Sequence, residues 1–160
     1  MKTPTYTKGV SVVEVMIGLF IFSLILIFIF HTFSLFFAAQ RKALETTQAL
    51  YLAEEGTELL KYIRDASWTQ ITNVTPGTTR YLAVATGTIA ISATPEVINS
   101  QFTRSFILRR AYRNSSNDLV PSTTSGATID SGSFVVESRV TWGANKSVEL
   151  HTLLTNIHDI

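Results

Sequence analysis

The chain has 160 residues, enough for one domain with an appended segment, and a net charge of +1 from 13 basic and 12 acidic residues. This near balance creates no strong overall field that would recruit nucleic acid. The chain has no cysteine, which excludes disulfide scaffolds, thiolate metal sites and cysteine nucleophiles. Its composition is uneven, because seven of the ten phenylalanines fall within residues 20–37, and residues 15–40 carry no formal charge.

The N-terminal part of the chain is a polar leader, residues 1–9, followed by a mostly apolar run over residues 10–39. About 20 predominantly apolar residues suffice to span a membrane as a helix. A cleaved secretory signal has a shorter apolar region of roughly 7–15 residues and an A-x-A-like cleavage site. The run here is longer, and its end at residues 36–40 does not match such a site. We therefore predict a retained membrane helix.

Helical periodicity continues through residues 40–66. This segment has good helix formers, no proline, and apolar residues at the spacing of one helix face, namely Leu44, Leu52, Leu59, Leu60 and Ile63. Glu58 and Lys61 have the i,i+3 spacing of an ion pair, and Gly56 is expected to cost about 1 kcal/mol relative to alanine. One helix over Val10–Asp65 measures roughly 84 Å. No compact domain of this size buries such a helix along its whole length, so it either protrudes or joins a bundle.

Residues 67–160 are rich in Thr, Ser, Gly, Val and Ile, which favours strands and turns. We predict a small antiparallel sheet of about four strands. The candidate strands are a possible hairpin, Tyr81–Ala85 with Thr88–Ser92, and the runs Gln101–Tyr112, Phe134–Trp142 and Ser147–Thr155. In the run Phe134–Trp142, one face of alternating residues is formed by Phe134, Val136, Ser138, Val140 and Trp142. Roughly 90 residues make a thin core, so we expect the sheet to pack on the polar half of the helix in an α+β fold.

The segment Asn114–Gly132 is rich in Ser, Thr, Asn and Gly and is predicted to be a long surface loop. Asp118 and Asp130 flank it, but one pair of acids lacks the dense oxygen pattern of a calcium site, so a solvated loop is favoured. Two histidines near the C-terminus, His151 and His158, have no third ligand at suitable spacing. We expect no metal and no cofactor.

The most informative segment joins the leader to the apolar run. Lys8 and Gly9 end the leader, Val10 follows, and Glu14 is the one acidic residue of the apolar run. A charged side chain within a membrane helix is costly, about 2.5–3.5 kcal/mol on insertion scales if it reaches mid-membrane, and usually has a partner. Leader, glycine, glutamate spacing and a long uncharged helix together resemble the type IV pilin superfamily over residues 8–65.

The resemblance implies a pilin-like, lollipop-shaped α+β fold, with a long N-terminal helix packed on a small antiparallel sheet. It implies cleavage by a prepilin peptidase between Gly9 and Val10, with N-methylation of Val10. Glu14 would then pair with the new N-terminal amine of a neighbouring subunit. The implied domains are a leader (1–9), a transmembrane and assembly half-helix (10–39), an amphipathic half-helix (40–66) and a sheet domain (67–160).

The implied partners are membrane lipid, other pilin or pseudopilin subunits, the prepilin peptidase and an inner-membrane assembly platform. Counting basic residues on either side of the apolar run decides little about orientation, so the resemblance places the C-terminal part outside the cytoplasm. Val10 and Ser11 replace the phenylalanine and threonine common in the family. His31 and its neighbours stand where many major pilins have a helix-breaking proline, and the usual paired cysteines are absent. These departures favour a minor pilin or a type II secretion pseudopilin.

Two other classes of function are considered. A plain signal-anchored protein with an extracytoplasmic ligand-binding domain makes no use of Gly9 and is not processed. A membrane-anchored enzyme has no support, since no G-x-S-x-G, H-E-x-x-H, P-loop or G-x-G-x-x-G motif occurs. We therefore expect no catalytic residue. We interpret His31 as a neutral side chain at or near the outer membrane interface.

A basic and aromatic cluster in the long strand suggests a surface for DNA, formed by Arg104, Arg109, Arg110, Arg113, Phe102, Phe106 and Tyr112. Strand residues this close in sequence divide between both faces of a sheet, so nucleic acid binding is not favoured. Salt bridges from these arginines to Glu137 or Glu149 on neighbouring strands are favoured instead.

Overall fold

The computed structural model describes Gly9, residues 11–85 and residues 87–157. The first element is a single helix, α1, over Val12–Ala66. Its 55 residues contain no proline, so every interior amide can bond within the helix. The prediction of one continuous helix is confirmed over the described residues, while Val10 lies outside them. A short helix, α2, follows at Trp68–Thr72 and was not predicted.

Six strands follow, all paired antiparallel: β1 Thr79–Ala85, β2 Thr88–Ser92, β3 Glu96–Ile98, β4 Phe102–Arg113, β5 Thr128–Trp142 and β6 Lys146–Thr155. The strand order is β2-β1-β4-β5-β6, and β3 pairs with β4 beside this path. The predicted α+β class is confirmed.

The predicted strand pairs are confirmed with small changes of boundary. In the first hairpin Tyr81 pairs with Ser92, and Gly87 takes a φ of 79° in the turn, a conformation that glycine adopts without steric cost. The predicted inward face of β5 is also confirmed, since its members are all at most 8% exposed, namely Phe134, Val136, Ser138, Val140 and Trp142.

Two predictions about the sheet were wrong. The loop predicted over Asn114–Gly132 ends earlier, because β5 already begins at Thr128 and pairs there with Arg113. The Ser- and Gly-rich residues 131–133 lie at a register shift between Arg110 and Ala111 of β4, which explains their loop-like composition. The sheet has six strands rather than about four, because both strands of the first hairpin belong to it and β3 was not identified.

The chain divides into two compact units, residues 1–44 and residues 45–160, and α1 contributes to both. The second unit has two apolar clusters, in which residues 45–66 of α1 pack on the inner face of the sheet. The larger cluster contains Leu60, Ile63, Phe106, Leu108, Val136 and Leu154 among others. The smaller contains Ala49, Ala53, Phe102, Val140 and Trp142. Packing of the sheet on the polar half of the helix is therefore confirmed.

The predicted apolar stripe of the helix is confirmed except at one position, since Leu60 and Ile63 are buried and Leu52 and Leu59 pack against the two clusters. Leu44 is 60% exposed, whereas the small residues Ala49, Ala53 and Gly56 are buried. A Cβ atom on Gly56 would lie 3.0 Å from both the Arg104 Cδ and the Ser138 Oγ. Gly56 therefore allows a close approach of helix and sheet. From the sequence, only the cost of this glycine in helix propensity was predicted.

Candidate functional site

The start of α1 carries the described part of the predicted processing motif. The Val15 amide donates to the Ser11 carbonyl over 3.2 Å, which places Ser11 at the N-cap position. Glu14 then lies in the first turn and is exposed. A carboxylate at this end of a helix is favoured by the helix dipole. Val10 and residues 1–8 lie outside the described residues, so the predicted cleavage and methylation at Val10 have no structural counterpart here.

The pattern Ser11-x-x-Glu14 also has the spacing of a capping box, in which glutamate or glutamine at the third helical position accepts from the N-cap amide. The structure shows no hydrogen bond between the Ser11 amide and the Glu14 side chain, so capping is a role that the spacing suggests, separate from the pairing that the resemblance implies. The two roles differ in one respect that can be tested. A capping box works with glutamine, whereas pairing with an amine requires the charge.

Gly9, the predicted residue before the cleavage site, is exposed, and a Cβ atom there would meet no other atom within 4 Å. A larger side chain at this position therefore fits without steric conflict with the described residues. A substitution of Gly9 is therefore not expected to disturb the packing of the described residues.

The first part of α1 is exposed and apolar around its whole circumference. Residues with at least 50% exposure lie on every face, including Val13, Met16, Ile17, Phe20, Phe22, Ile27, Phe28, Phe30, Phe33 and Phe37. A helix that is hydrophobic all round is either buried in a large core or spans a membrane. No part of its most apolar stretch is buried in the chain itself, and the helix is long and apolar enough to cross a membrane.

The polar side chains within this apolar region divide into two groups. The Ser23 and Thr32 hydroxyls donate to the carbonyls of Phe20 and Phe28, at 2.8 and 2.9 Å, so the helix satisfies them itself. Among the described residues, Glu14, His31 and Ser34 make no side-chain hydrogen bond or ion pair, and Glu14 and His31 are the titratable members of this group. An unsatisfied polar group is costly in an apolar environment, so in a membrane Glu14 and His31 would require partners that residues 9, 11–85 and 87–157 do not supply.

A buried polar cluster joins helix and sheet within the second unit. The Arg104 side chain is 3% exposed and forms a bidentate pair with Glu96 of β3, with both nitrogen–oxygen distances 2.8 Å. Its third nitrogen lies 3.2 Å from the Glu55 carboxylate on α1. The Ser138 hydroxyl donates to the Ala53 carbonyl over 3.0 Å. These contacts fix the position of β3 and β4 on the helix.

Ion pairs also hold both ends of the sheet. Lys146 and the Trp142 indole donate to the Glu45 carboxylate at 2.6 and 3.1 Å, and these hydrogen bonds, led by that from Lys146, lower the pKa of Glu45. Arg113 donates to Asp130 over 2.7 Å and lowers the pKa of that carboxyl group. The predicted pair of Glu58 and Lys61 is present at 2.7 Å.

The structure does not bring the predicted basic and aromatic cluster to one surface. Phe102 and Phe106 are buried in different apolar clusters, and Arg104 is buried as well. Arg109 pairs with Glu137 at 2.9 Å, as predicted. The other predicted acceptor, on β6, pairs instead with an arginine of β5, in the contact Arg139–Glu149.

The two acidic residues that were considered and not favoured as calcium ligands each have a partner within the chain. Asp118 accepts from the Asn114 side chain, and Asp130 pairs with Arg113, so each carboxylate has a protein partner. His158 lies outside the described residues. Over residues 9, 11–85 and 87–157, no three acidic or histidine side chains are grouped as metal ligands.

One open groove of about 560 Å³ lies on the sheet unit. It is lined by Arg109, Arg110 and Tyr112 of β4, by the Pro76–Gly77 turn and by residues 119–122. Arg110 is exposed and has no ion pair within the described part of the chain. The rest of the lining is mainly apolar, so the groove combines apolar side chains with one cation that has no ion pair among the described residues. This groove was not predicted from the sequence.

Three comparisons with known proteins found no match. No protein-family model, no curated protein and no solved structure matches this chain.

Proposed function

We propose that this chain is a structural subunit of a type IV pilus or of a pseudopilus like that of type II secretion, of the minor class. It is inserted in the inner membrane by one helix, with residues 67–160 outside the cytoplasm, and is processed by a prepilin peptidase. It is then polymerised through its N-terminal helix by an inner-membrane assembly platform. The observation that carries this proposal is the exposed apolar region of α1, interrupted near its start by Glu14 and preceded by Gly9.

The chemistry of these residues suits processing followed by assembly. Cleavage after Gly9 would give Val10 a free amine, whose ordinary pKa of about 7.7–8 keeps it largely protonated at neutral pH. Glu14 of a neighbouring subunit can neutralise that amine, so two groups that are costly next to lipid become one pair. The low dielectric strengthens their attraction, but desolvation offsets much of it. The pair therefore serves register and recruitment more than net stability.

The proposal makes no demand for catalysis or a cofactor, because the chain acts through surfaces. Lipid covers the apolar region before assembly, and helices of other subunits cover it afterwards. The face of residues 45–66 that packs on the sheet takes no part in this exchange, since it is already buried.

The test is the fate of a Gly9→Val variant expressed with a prepilin peptidase and an assembly system. We expect wild type to be cleaved and to enter filaments, and the variant to remain at full length in the membrane. Gly18→Val is the matched control for cleavage, because a Cβ atom at Gly18 also meets nothing within 4 Å. Cleavage of Gly9→Val at the wild-type rate would contradict the proposal.

A second function is favoured by the groove on the sheet unit. In this alternative the chain is a single-pass anchored, unprocessed protein whose extracytoplasmic domain binds a ligand, and the unpaired Arg110 points to an anionic group on that ligand. An anchor of this kind retains Met1 and is indifferent to Gly9→Val. The same experiment therefore separates the two functions.

A further inference from the structure

His31, like Glu14, is a titratable side chain of the apolar region that has no partner among the described residues. It lies 17 residues beyond Glu14, and the nearest charge on its own helix, Arg41, is 10 residues further on. At about 1.5 Å per residue, no charged group of α1 lies within roughly 15 Å of it along the axis. Ser23 and Thr32 are satisfied by the helix backbone, but an imidazole cannot be satisfied in this way.

We propose that His31 binds Glu14 of a second copy of this chain, displaced along the helix axis by 17 residues or about 26 Å. This inference rests on the proposed function, because it describes the contact between assembled helices. Glu14 and His31 are the two titratable side chains within residues 12–40, and a carboxylate and an imidazole have complementary hydrogen-bonding groups. A carboxylate has acceptor positions for both an imidazole and an N-terminal amine, so this contact does not displace the pairing proposed above.

The residues next to this pair fit the same displacement. Gly18 lies one helical turn after Glu14 on the same face, and Leu35 lies one turn after His31 on the same face. A shift of 17 residues brings Gly18 of one copy level with Leu35 of the other. Gly18 is the one glycine of α1 before Gly56, and space is open around it. A position without a side chain thus meets a large exposed leucine, which lets the helices approach closely.

The two contact faces are suited to an open assembly. A helix turns about 100° per residue, so a separation of 17 residues places the faces of Glu14 and His31 about 100° apart around the axis. One chain can therefore engage one copy through Glu14 and another through His31 at the same time. Such a head-to-tail contact between different faces produces a filament rather than a closed dimer.

The absence of cysteine permits a direct test by disulfide cross-linking. The full chain is prepared as the double variant Gly18→Cys, Leu35→Cys, which leaves Glu14 and His31 intact, and is assembled into filaments and oxidised. We expect covalent dimers and longer ladders on a non-reducing gel. The matched control is Gly18→Cys, Phe28→Cys, because Phe28 lies on the His31 face but is seven residues, about 10 Å, from the level of Leu35. A disulfide requires Cα atoms within about 7 Å, so the control should give no ladder.

A second measurement uses His31 directly. We expect His31→Leu to lower incorporation into filaments about tenfold relative to processed subunit in the membrane, and His31→Gln, which keeps a donor, to lower it less. Equal cross-linking of both cysteine pairs, or wild-type incorporation of His31→Leu, overturns this inference while leaving the proposed function standing. Failure of wild type itself to be cleaved and incorporated instead overturns the proposed function and this inference with it.

Discussion

Along helix α1, residues 12–37 expose apolar side chains on every face, whereas residues 45–66 bury one face and expose the others. The backbone is helical throughout, so the difference lies in what covers each part. In residues 45–66 the sheet of the same chain covers a narrow face, and small residues suffice there, as at Ala49 and Ala53. No part of the most apolar stretch of residues 12–37 is buried within the described chain, and under the proposed function lipid or other copies cover it.

The two regions of the chain also differ in how their polar side chains are satisfied. In the second unit, buried polar side chains are satisfied within the chain, as Arg104 is by Glu96 and Glu55. In the apolar region, Glu14 and His31 are left without such partners among the described residues. The described residues thus satisfy the polar groups of one part of the molecule, and under the proposed function a second copy satisfies those of the other. The predictions below test this contrast by changing one part and measuring both.

The largest expected effect is on assembly, from Glu14→Leu. The variant should fold and be cleaved after Gly9 as wild type is, but it should not enter filaments, because the neighbouring amine has no counter-charge. The measurement compares processed subunit in the membrane with subunit in sheared filaments. Normal incorporation of Glu14→Leu would contradict the proposed pairing.

Two controls separate this pairing from capping of the helix. Glu14→Gln keeps the capping box but removes the charge, and Ser11→Ala removes the cap but keeps the charge. We expect Glu14→Gln to behave like Glu14→Leu, and Ser11→Ala to assemble like wild type. The opposite pattern would assign Glu14 to the helix terminus.

The next largest effect is on stability, from Arg104→Met. This change leaves the Glu96 carboxylate, whose side chain is 15% exposed, without its bidentate partner. We expect a loss of about 3–5 kcal/mol in the free energy of unfolding, and partial recovery in the double variant Arg104→Met, Glu96→Leu. Both tryptophans, Trp68 and Trp142, lie in the second unit, so their fluorescence during denaturant unfolding of the full chain in detergent reports this change. A loss below 1 kcal/mol would show that the cluster does not hold helix and sheet together.

A smaller loss of stability is expected from Gly56→Leu. The new side chain would overlap the Arg104 and Ser138 side chains, and overpacking of this kind costs about 1–3 kcal/mol. Gly18→Leu is the matched control, because the same substitution in the same helix meets open space. Its tryptophan-monitored unfolding should equal that of wild type. Equal unfolding curves for Gly56→Leu and wild type would show that the helix does not approach the sheet as closely as described.

The smallest expected effect is on acid stability. Because folding lowers the pKa values of Glu45 and Asp130, both contribute stability above their ordinary values of about 4.3 and 3.9. That contribution disappears as the pH falls through the lowered values. Glu45→Gln and Asp130→Asn should therefore each flatten the dependence of unfolding free energy on pH below about 4.5. An unchanged slope in both variants would mean that these ion pairs do not form in solution.

The sequence predicted the elements that have a clear period. β5 has five alternating inward residues, and α1 has no helix breaker in 55 residues, so both were identified. β3 has only three residues and is followed by Asn99 and Ser100 with φ of 52° and 55°, so no period could indicate it. The burial of Arg104 was not predicted, because it depends on ion pairs with Glu96 and Glu55. Neither partner can be assigned to Arg104 until the fold is known.

The candidate site shows the same limit. Glu14 stands out in the sequence because it is a charge in an apolar run, and His31 stands out for a related reason. The close approach at Gly56 has no such signal, since a glycine in a helix reads only as a weak helix former until the facing residues are known. Local pattern identifies residues that are unusual in their own segment, whereas residues that matter through distant neighbours require the fold.

The central claim is that the chain is processed for assembly. The intact mass of the chain and the identity of its first residue test this claim most directly. The chain would be co-expressed with a prepilin peptidase that demonstrably cleaves a control substrate in the same cells, and its intact mass and first residue would be measured. We predict a new terminus at Val10, with or without one added methyl group. A chain that retains Met1 beside fully cleaved control substrate would contradict this account and favour the plain membrane anchor.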